Sequence, residues 1–410
     1  MSSGGRGSAP ATLVVGQSGG ATAVINASLV GVVEGALASG GFDRILGMRH
    51  GIEGLLKDDI LDLGEQPAAT LARVRFTPSA ALGTGRYKLH DNDLDRAMAA
   101  LSRLNARAFI YIGGNDSADT AHRLHLHAGA TGATLNVIAV PKTIDNDLPE
   151  TDHCPGYGSI ARYLANAVRD ATYDSLASPQ LYPVKFVEVM GRDAGWVPAA
   201  CALGFAADEA DLAPLIYLPE RPPADADALL AEVVALVEER GWAVAIVPET
   251  LRDASGRHLG GDEPEYVDGF GHPYHAGPGA ALTRVMAQRA GLRARYDKPG
   301  TAARMSISLA SPVDLDEAYR LGWAAAGCAA AGNSDIMMTL SRSQEEPYRC
   351  DIATAPLAEI ANQIRPFPDA FIDETPRAPS AAFRAYALPL LGPDPFPSYA
   401  RLSPDLRSWQ

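Results

Sequence analysis

The sequence predicts an α/β protein built on mostly parallel sheets. Short apolar runs alternate along the chain with segments in which apolar residues recur every three to four positions, as expected for buried strands and amphipathic helices. The apolar runs end at glycine, proline or carboxylate residues, which is typical of parallel strands whose carboxyl ends meet at a ligand-binding edge. The 410 residues include 47% apolar and 20% charged residues, a composition that suits two or three globular domains.

Seven segments are predicted to be strands because apolar residues occupy their centres. In chain order they are "TLVVG" (12–16), "RILGM" (44–48), "AFIYIGG" (108–114), "LNVIAV" (135–140), "VKFVEVMG" (184–191), "LIYLPE" (215–220) and "AVAIVPE" (243–249).

Helices are predicted between these strands. The segments 91–105 and 159–177 each place apolar residues on one face. The leading Asp and Asn residues of the first segment can cap its amino terminus. The segment 225–241 has the same periodicity, and Gly241 is its predicted C-cap.

Charge and cysteine content exclude several classes of protein. A net charge of −14 argues against a general nucleic-acid binder, which needs a basic surface. Four cysteines without paired spacing indicate neither a disulfide scaffold nor a zinc site, so the expected compartment is the reducing cytoplasm. The first residues lack the apolar region of a signal peptide, and no run approaches the ~20 apolar residues of a membrane span.

The segment "PKTIDNDLPE" (141–150), at the end of a predicted strand, carries one cation and three carboxylates. Lys142 is suited to bind phosphate oxygens. Asp145 and Asp147 could share a magnesium ion with a substrate phosphate, or one could accept a proton from an attacking hydroxyl while the other holds the metal. The alternative is a solvated loop.

Two glycine-containing segments resemble anion-binding turns. "GQSGGATAVINAS" (16–28) leads from a strand into a helix, whose free N–H groups and dipole favour an anion. "GTGRYK" (83–88) offers Arg86 and Lys88 beside glycines, and arginine binds phosphoryl oxygens well. Each segment taken alone could be an ordinary turn.

Three further strand exits carry polar groups. Asn115, Asp116 and Ser117 begin the helix that follows "YIGG", where they could be ligands or simply caps. In "VEVMGRDAGW" (187–196), Gly191 permits close approach of a ligand and Arg192 suits bidentate phosphate binding. Glu249 ends "IVPE" as a natural acceptor for sugar hydroxyls. The histidine groups "HRLHLH" (122–127) and "GHPYH" (271–275) lack zinc spacing, so they are not expected to bind metal.

Together these motifs resemble the phosphofructokinase family, and more closely its pyrophosphate-dependent branch. The resemblance extends from "GQSGG" to "SPVDLDEAYRLGWAAA" (311–326), and its most specific parts are "PKTIDND", "VEVMGRDAGW" and "GGNDS". It implies two similar three-layer α/β domains with the active site in the cleft between them. It also implies homo-oligomers, dimers or tetramers, that share sugar-phosphate sites across an interface.

The resemblance divides the chain into segments. It implies a disordered amino terminus (1–11), a pyrophosphate-binding domain (12–155) and a sugar-phosphate-binding domain (156–300). Residues 301–380 would complete both domains, and residues 381–410 would form a tail.

The resemblance also implies roles for individual residues. Asp145 would accept the proton of the sugar hydroxyl, and Asp116, Lys142 and Arg192 would complete the catalytic group. The sugar phosphate would contact Thr143, Ile144, Asp145, Met190, Gly191, Arg192, Glu249, Thr301 and Arg304, with Arg295 supplied by a neighbouring subunit. Pyrophosphate would contact Gly16, Arg86, Asp116 and Lys142. The metal, Mg²⁺, would be held by Asn115 and Asp147.

Donor choice follows from two of these positions. ATP-using relatives have glycine where this chain has Asp116 and Lys142, which leaves space for the α-phosphate of the nucleotide. Asp116 would fill that space with a negative charge, at a cost of several kcal/mol, while Lys142 would stabilise charge on the leaving phosphate. The expected donor is therefore pyrophosphate.

Four positions depart from the pattern of the family: Ala21, Asn115, Pro183 and Ala303. Ala303 replaces a glutamine near the sugar site, so a wider pocket could admit sedoheptulose 7-phosphate. The expected activity is reversible phosphoryl transfer from pyrophosphate to the 1-hydroxyl of fructose 6-phosphate. The alternatives are the same chemistry on another sugar phosphate, or a catalytically weak subunit that binds sugar phosphate.

Overall fold

The structure, a computed structural model, describes residues 11–269, 271, 273–373 and 378–402. The predicted disordered amino terminus lies outside the described residues except for Ala11, as do the last eight residues of the predicted tail.

The described strands form two large sheets and one hairpin. Their bounds are β1 (Thr12–Gln17), β2 (Arg44–Met48), β3 (Ile60–Asp62), β4 (Ala106–Gly113), β5 (Asn136–Pro141), β6 (Val184–Val189), β7 (Leu215–Ile216), β8 (Ala243–Pro248), β9 (Pro264–Val267), β10 (Pro273–His275), β11 (Ala294–Asp297), β12 (Ile336–Gln344) and β13 (Arg349–Pro356).

The described helices cover both faces of the large sheets. They are α1 (Ile25–Ser39), α2 (Ile52–Leu56), α3 (Ala68–Val74), α4 (Asp91–Arg103), α5 (Asn115–Thr131), α6 (Tyr157–Ala177), α7 (Trp196–Ala200), α8 (Ala226–Arg240), α9 (Pro278–Arg289), α10 (Gly300–Met305), α11 (Pro312–Ala330) and α12 (Ala381–Ala387).

The first sheet has seven strands in the order β13-β12-β5-β4-β1-β2-β3. Strands β12, β5, β4, β1 and β2 run parallel, while β3 and β13 are antiparallel edge strands. Apolar residues of α1 and α11 pack on one face, and those of α4 and α5 pack on the other. This layering confirms the predicted α/β class.

The second sheet has four parallel strands in the order β11-β6-β8-β7. Helices α6 and α7 pack on one face through residues such as Leu164 and Trp196. Helices α8 and α9 pack on the other through Leu229 and Leu282. The second sheet is therefore also the middle of three layers.

All seven predicted strands form, but two of them end two or more residues before the predicted position. The strand predicted at 184–191 ends at Val189, because Gly191 and Arg192 adopt positive φ angles of 124° and 52° and turn the chain out of the sheet. The strand predicted at 215–220 ends at Ile216. The predicted cap Gly241 ends α8 with a φ of 87°.

A buried ionic network connects the loop after β5 to α11 and to the β12–β13 edge. The His153 imidazole contacts Asp152 at 2.8 Å and Glu317 at 2.7 Å. Arg342 pairs with Asp152 at 3.0 Å, and the Tyr348 hydroxyl donates to Glu317 at 2.8 Å. Burial alone would lower the pKa of His153, but hydrogen bonds and charges of Asp152 and Glu317 raise it to about 9.

We therefore expect His153 to make stability dependent on alkaline pH. Because its folded pKa of about 9 exceeds the ordinary value of 6.5, its contribution is complete below pH 6.5 and is lost as the pH rises through 9. The difference corresponds to about 3 kcal/mol in the free energy of unfolding. Urea unfolding between pH 6 and 9.5 measures it. The stability advantage of the wild type over His153→Gln should shrink by about 3 kcal/mol between these pH values, whereas its difference from the half-buried control His122→Gln should not change with pH; an advantage over His153→Gln that is independent of pH would contradict this assignment.

Candidate active site

A cavity of about 450 Å³ opens where the carboxyl ends of the central strands of both sheets face each other. It is lined by Gly19, Gly20, Ala21, Arg86, Gly114, Asn115, Asp116, Ser117, Lys142, Thr143, Ile144, Asp145, Asp147, Met190, Arg192, Glu249, Thr250, Glu265, Tyr266, Pro273, Tyr274, His275, Lys298, Thr301 and Arg304. The parallel strands thus bring most predicted site residues together, although they lie far apart in sequence.

Lys142 is the first residue beyond β5, and its backbone N–H continues the sheet by donating to Gly113 O at 2.9 Å. Its side chain crosses to the glycine turn after β1, where Nζ donates to Gly20 O at 2.8 Å. The residue is only 3% exposed. Burial, reinforced by the nearby positive charge of Arg304, lowers the pKa of Lys142 to about 8. An anion bound in the cavity would therefore stabilise the charged form of this lysine.

Asn146 fixes the two aspartates on either side of it. It adopts a left-handed φ of 55° and is completely buried. Its amide donates to the Tyr386 hydroxyl at 3.0 Å, its side-chain oxygen accepts from Cys154 N at 2.9 Å, and its carbonyl accepts from Arg365 Nη2 at 2.7 Å. Since Asn146 is held on the protein side of the loop, Asp145 and Asp147 both line the cavity.

The two aspartates are held with their ionised forms disfavoured. Burial raises the pKa of Asp145 to about 7, and the negative charge of Asp147 adds to the effect. Burial also raises the pKa of Asp147, against a hydrogen bond from Thr143. The hydroxyl of Thr143 in turn accepts from Asp145 N at 3.1 Å. A carboxylate with a pKa near 7 suits a general base that works at neutral pH.

The turn after β1 and the loop 83–86 form one wall of the cavity. Gly19 N donates to Gly85 O at 3.3 Å, and the Thr84 hydroxyl donates to Gly19 O at 2.5 Å. A Cβ at Gly20 would lie 2.5 Å from Nη1 of Arg304. The absence of a side chain at Gly20 therefore lets Arg304 approach this wall.

The amino terminus of α5 reaches the cavity beside Lys142. Asp116 lies in the first helical turn and lines the cavity with Ser117. Asn115 also lines it, but its amide oxygen accepts from Asn362 N at 2.7 Å and its amide nitrogen donates to Gln363 O. Both polar atoms of Asn115 thus contact the segment after β13, and its predicted role as a metal ligand stays a prediction.

The second sheet supplies the opposite wall. Met190 and Arg192 follow β6, and Glu249 and Thr250 follow β8. The Thr250 hydroxyl donates to Arg192 O at 2.7 Å, which supports the left-handed backbone at Arg192. Burial raises the pKa of Glu249. Thr301 and Arg304 line the cavity from α10, and the guanidinium of Arg304 reaches across to Gly20.

Three predicted site residues do not line the cavity. Gly16 lies within β1, where the Met48 side chain packs over it and a Cβ would be 2.1 Å from the end of that side chain. Gly191 is buried beside Val197. Arg295 lies on the edge strand β11 and stacks on Tyr182 with 3.6 Å between the guanidinium carbon and the ring centroid. Its predicted supply from a neighbouring subunit stays a prediction.

The structure adds cavity residues that the sequence analysis did not identify. Lys298 stands three residues before Thr301, and its Nζ contacts the buried Glu188 at 2.7 Å. Its basic side chain in "RYDKPGTAARMS" was an available signal. Hairpin residues Tyr266 and Tyr274 had no motif that could have identified them. Ala303 is 4% exposed and packs in the core rather than lining the cavity.

Within the described part of the chain, no group of three or more His, Cys, Asp and Glu side chains could hold a metal ion by itself. In the segment 271–275, His275 lines the cavity and stacks on His258 with ring centroids 3.8 Å apart. In the segment 122–127, His122 contacts Asp335 at 2.7 Å on the surface of α5. Among the described helices, none is long and apolar enough to cross a membrane.

Comparison with known proteins gives a consistent result. Residues 12–329 match the family described as Phosphofructokinase. Two relatives named pyrophosphate–fructose 6-phosphate 1-phosphotransferase are each 38% identical to this chain. The one from Xanthomonas campestris aligns with 95% of this chain and 96% of its own length, and the one from Methylococcus capsulatus with 95% and 93%.

A solved structure has the same fold. The crystal structure of a pyrophosphate-dependent phosphofructokinase from Nitrosospira multiformis superposes with a TM-score of 0.85 and 33% identity, covering 96% of this chain and 95% of that one. At this coverage the similarity includes both large sheets.

Proposed function

The chain belongs to the phosphofructokinase family, and we propose that it transfers a phosphoryl group from pyrophosphate to the 1-hydroxyl of fructose 6-phosphate. The products are fructose 1,6-bisphosphate and phosphate, and the reaction is reversible. The main support for this function comes from the loop 142–147. In this loop the buried Lys142 and the carboxyl of Asp145, with a pKa near 7, line the same cavity. The names of the relatives at 38% identity agree with it.

Asp145 acts as the general base. The 1-hydroxyl oxygen attacks the terminal phosphorus of pyrophosphate while Asp145 accepts the hydroxyl proton. The bond between that phosphorus and the bridging oxygen breaks, and inorganic phosphate leaves with the bridging oxygen. A carboxyl whose pKa is raised to about 7 by burial is strong enough as a base to accept this proton and is still largely ionised above neutral pH.

Lys142 and Arg86 bind pyrophosphate against the glycine turn. The ammonium of Lys142 stabilises charge that develops on the bridging and leaving oxygens. Asp116 stands beside it at the start of α5, where its carboxylate repels the longer polyphosphate of a nucleotide. We assign donor binding to the first sheet for this reason.

The second sheet binds the sugar phosphate. Met190, Arg192 and Glu249 present a sulfur, a guanidinium and a carboxylate to the sugar, and Arg304 and Thr301 suit the 6-phosphate. Because Arg295 lies on an exposed edge strand of this sheet, it is available to a second copy of the chain. We propose a homo-oligomer on this basis, and the four free cysteines suit the reducing cytoplasm.

The residues present fit a magnesium ion that binds together with the donor. Mg²⁺ prefers one or two carboxylates completed by substrate phosphate oxygens and water. Asp147, with Asp145 nearby, provides buried carboxylates whose ionised forms a cation would stabilise. When bound, the ion would neutralise charge on the phosphoryl groups.

An assay of the purified protein with magnesium tests the function. We expect transfer to fructose 6-phosphate with pyrophosphate and at most trace transfer with ATP, because Asp116 and Lys142 select the short donor. Fructose 1,6-bisphosphate formation is measured for each donor, and sedoheptulose 7-phosphate serves as the alternative acceptor. Activity with ATP alone would contradict the donor assignment, and exclusive use of another sugar would contradict the acceptor.

Removing the proposed base should stop the chemistry without removing the binding site. For Asp145→Asn we expect kcat to fall on the order of 10³-fold, since a general base contributes about that much, with calorimetric binding of fructose 6-phosphate retained. The matched control is Glu150→Gln, which changes an exposed carboxylate in the same loop and should keep full activity. A kcat within tenfold of the wild type in Asp145→Asn would exclude this residue as the base.

A further inference from the structure

We propose that the hairpin of β9 and β10 positions Arg86 for the phosphoryl donor, with Asp268 and Tyr274 as positioning residues. The inference rests on the proposed function, because it takes Arg86 as a donor-binding group. It gives a role to a segment in which the sequence analysis found no motif for donor binding.

One guanidinium nitrogen of Arg86 contacts two residues of the hairpin. Nη1 donates to the Asp268 carboxylate and to the Tyr274 hydroxyl. The Asp268 side chain is only 4% exposed, whereas that of Arg86 is 36% exposed. A carboxylate this buried is costly unless it is paired, so the ion pair with Arg86 stabilises the hairpin in this position.

The second terminal nitrogen of Arg86 lies on the side of the glycine turn. Nη2 is 4.0 Å from the position that a Cβ on Gly20 would take. The carbonyl of Gly20 also accepts from Lys142 Nζ, at 2.8 Å. Because the guanidinium is planar, two contacts at Nη1 fix the direction of Nη2. The hairpin therefore orients Arg86 so that one edge is bound to protein and the other faces the proposed donor site.

The hairpin itself is held on both sides of the cleft. A Cβ on Gly269 would lie 2.2 Å from Arg86 O, so the two backbones are in direct contact. On the other side, His275 stacks on His258 with ring centroids 3.8 Å apart and planes at 19°. Tyr266 and Tyr274 stack across the two strands at 4.5 Å. The hairpin thus connects the second half of the protein to the donor-binding loop of the first.

This arrangement predicts an effect confined to the donor. A pre-oriented arginine loses less conformational freedom when phosphate binds, so loss of the hairpin contacts should weaken pyrophosphate binding. The sugar-phosphate groups Arg192 and Glu249 follow β6 and β8 on the opposite wall of the cavity, so the KM for fructose 6-phosphate should not change.

The experiment compares Asp268→Asn and Tyr274→Phe with the wild type. For Asp268→Asn we expect the pyrophosphate KM to rise about tenfold, as for a lost charged hydrogen bond, and for Tyr274→Phe about threefold. The KM for fructose 6-phosphate should stay within twofold in both. The matched control is Glu263→Gln, an exposed carboxylate just before the hairpin, which should leave both constants unchanged.

A double-mutant cycle separates positioning from a general structural role. In an Arg86→Ala background, Asp268→Asn should change the pyrophosphate KM by less than twofold, because its partner is gone. Additive effects would overturn the proposal, and so would tighter pyrophosphate binding by Asp268→Asn, which would mean that the hairpin competes with the donor.

Failure of the proposed function is distinguishable from failure of this inference. If the wild type shows no transfer, calorimetric titration with inorganic pyrophosphate and magnesium makes the same comparisons by affinity. Binding without turnover would then overturn only the proposed function. An absence of pyrophosphate binding by the wild type would overturn both.

Discussion

The site depends on charged groups held out of water at the end of one buried strand. Lys142 continues β5 by a backbone hydrogen bond and reaches the glycine turn with its ammonium. Burial disfavours the charged forms of this lysine and of Asp145 and Asp147, so the free protein keeps them in an electrostatically unfavourable state. Asn146 prevents the loop from relaxing, because hydrogen bonds anchor its side-chain amide, its side-chain oxygen and its backbone carbonyl. A bound anionic donor would stabilise the charged form of Lys142, and its metal would stabilise the ionised aspartates. Donor binding therefore favours the charged groups that phosphoryl transfer uses.

The two sheets then divide the chemistry between them. The first sheet presents glycine backbone, Lys142 and the amino terminus of α5, which suit a polyanion, while the second presents Arg192 and Glu249, which suit a phosphorylated sugar. Phosphoryl transfer needs the two substrates aligned in a cavity from which water is largely excluded, and electrostatic positioning supplies most of the catalysis. The hairpin of β9 and β10 follows β8 of the second sheet in the chain, but it contacts Arg86 in the loop 83–86 beside the first sheet. It therefore connects the two substrate sites.

Much of this could be predicted from sequence, because the strongest signals are local. Buried strands followed by glycine or charged residues identified β1, β4, β5, β6 and β8 and the residues at their ends. The edge strands β3, β11 and β13 are short or exposed and lack a continuous apolar run, so they gave no signal. The donor contact of Gly16 was implied by the family resemblance, and its packing against Met48 within β1 had no sequence signal. The amide of Asn115 and the contacts of Arg86 depend on partners more than 180 residues away, which no local pattern encodes.

The most direct test of this account is the pyrophosphate kcat/KM of Lys142→Gly relative to the wild type. If Lys142 stabilises charge on the leaving phosphate, the ratio should fall on the order of 100-fold, while circular dichroism and fructose 6-phosphate binding stay unchanged. A value within threefold of the wild type in a folded variant would contradict the central claim that the buried lysine at the end of β5 carries donor activation.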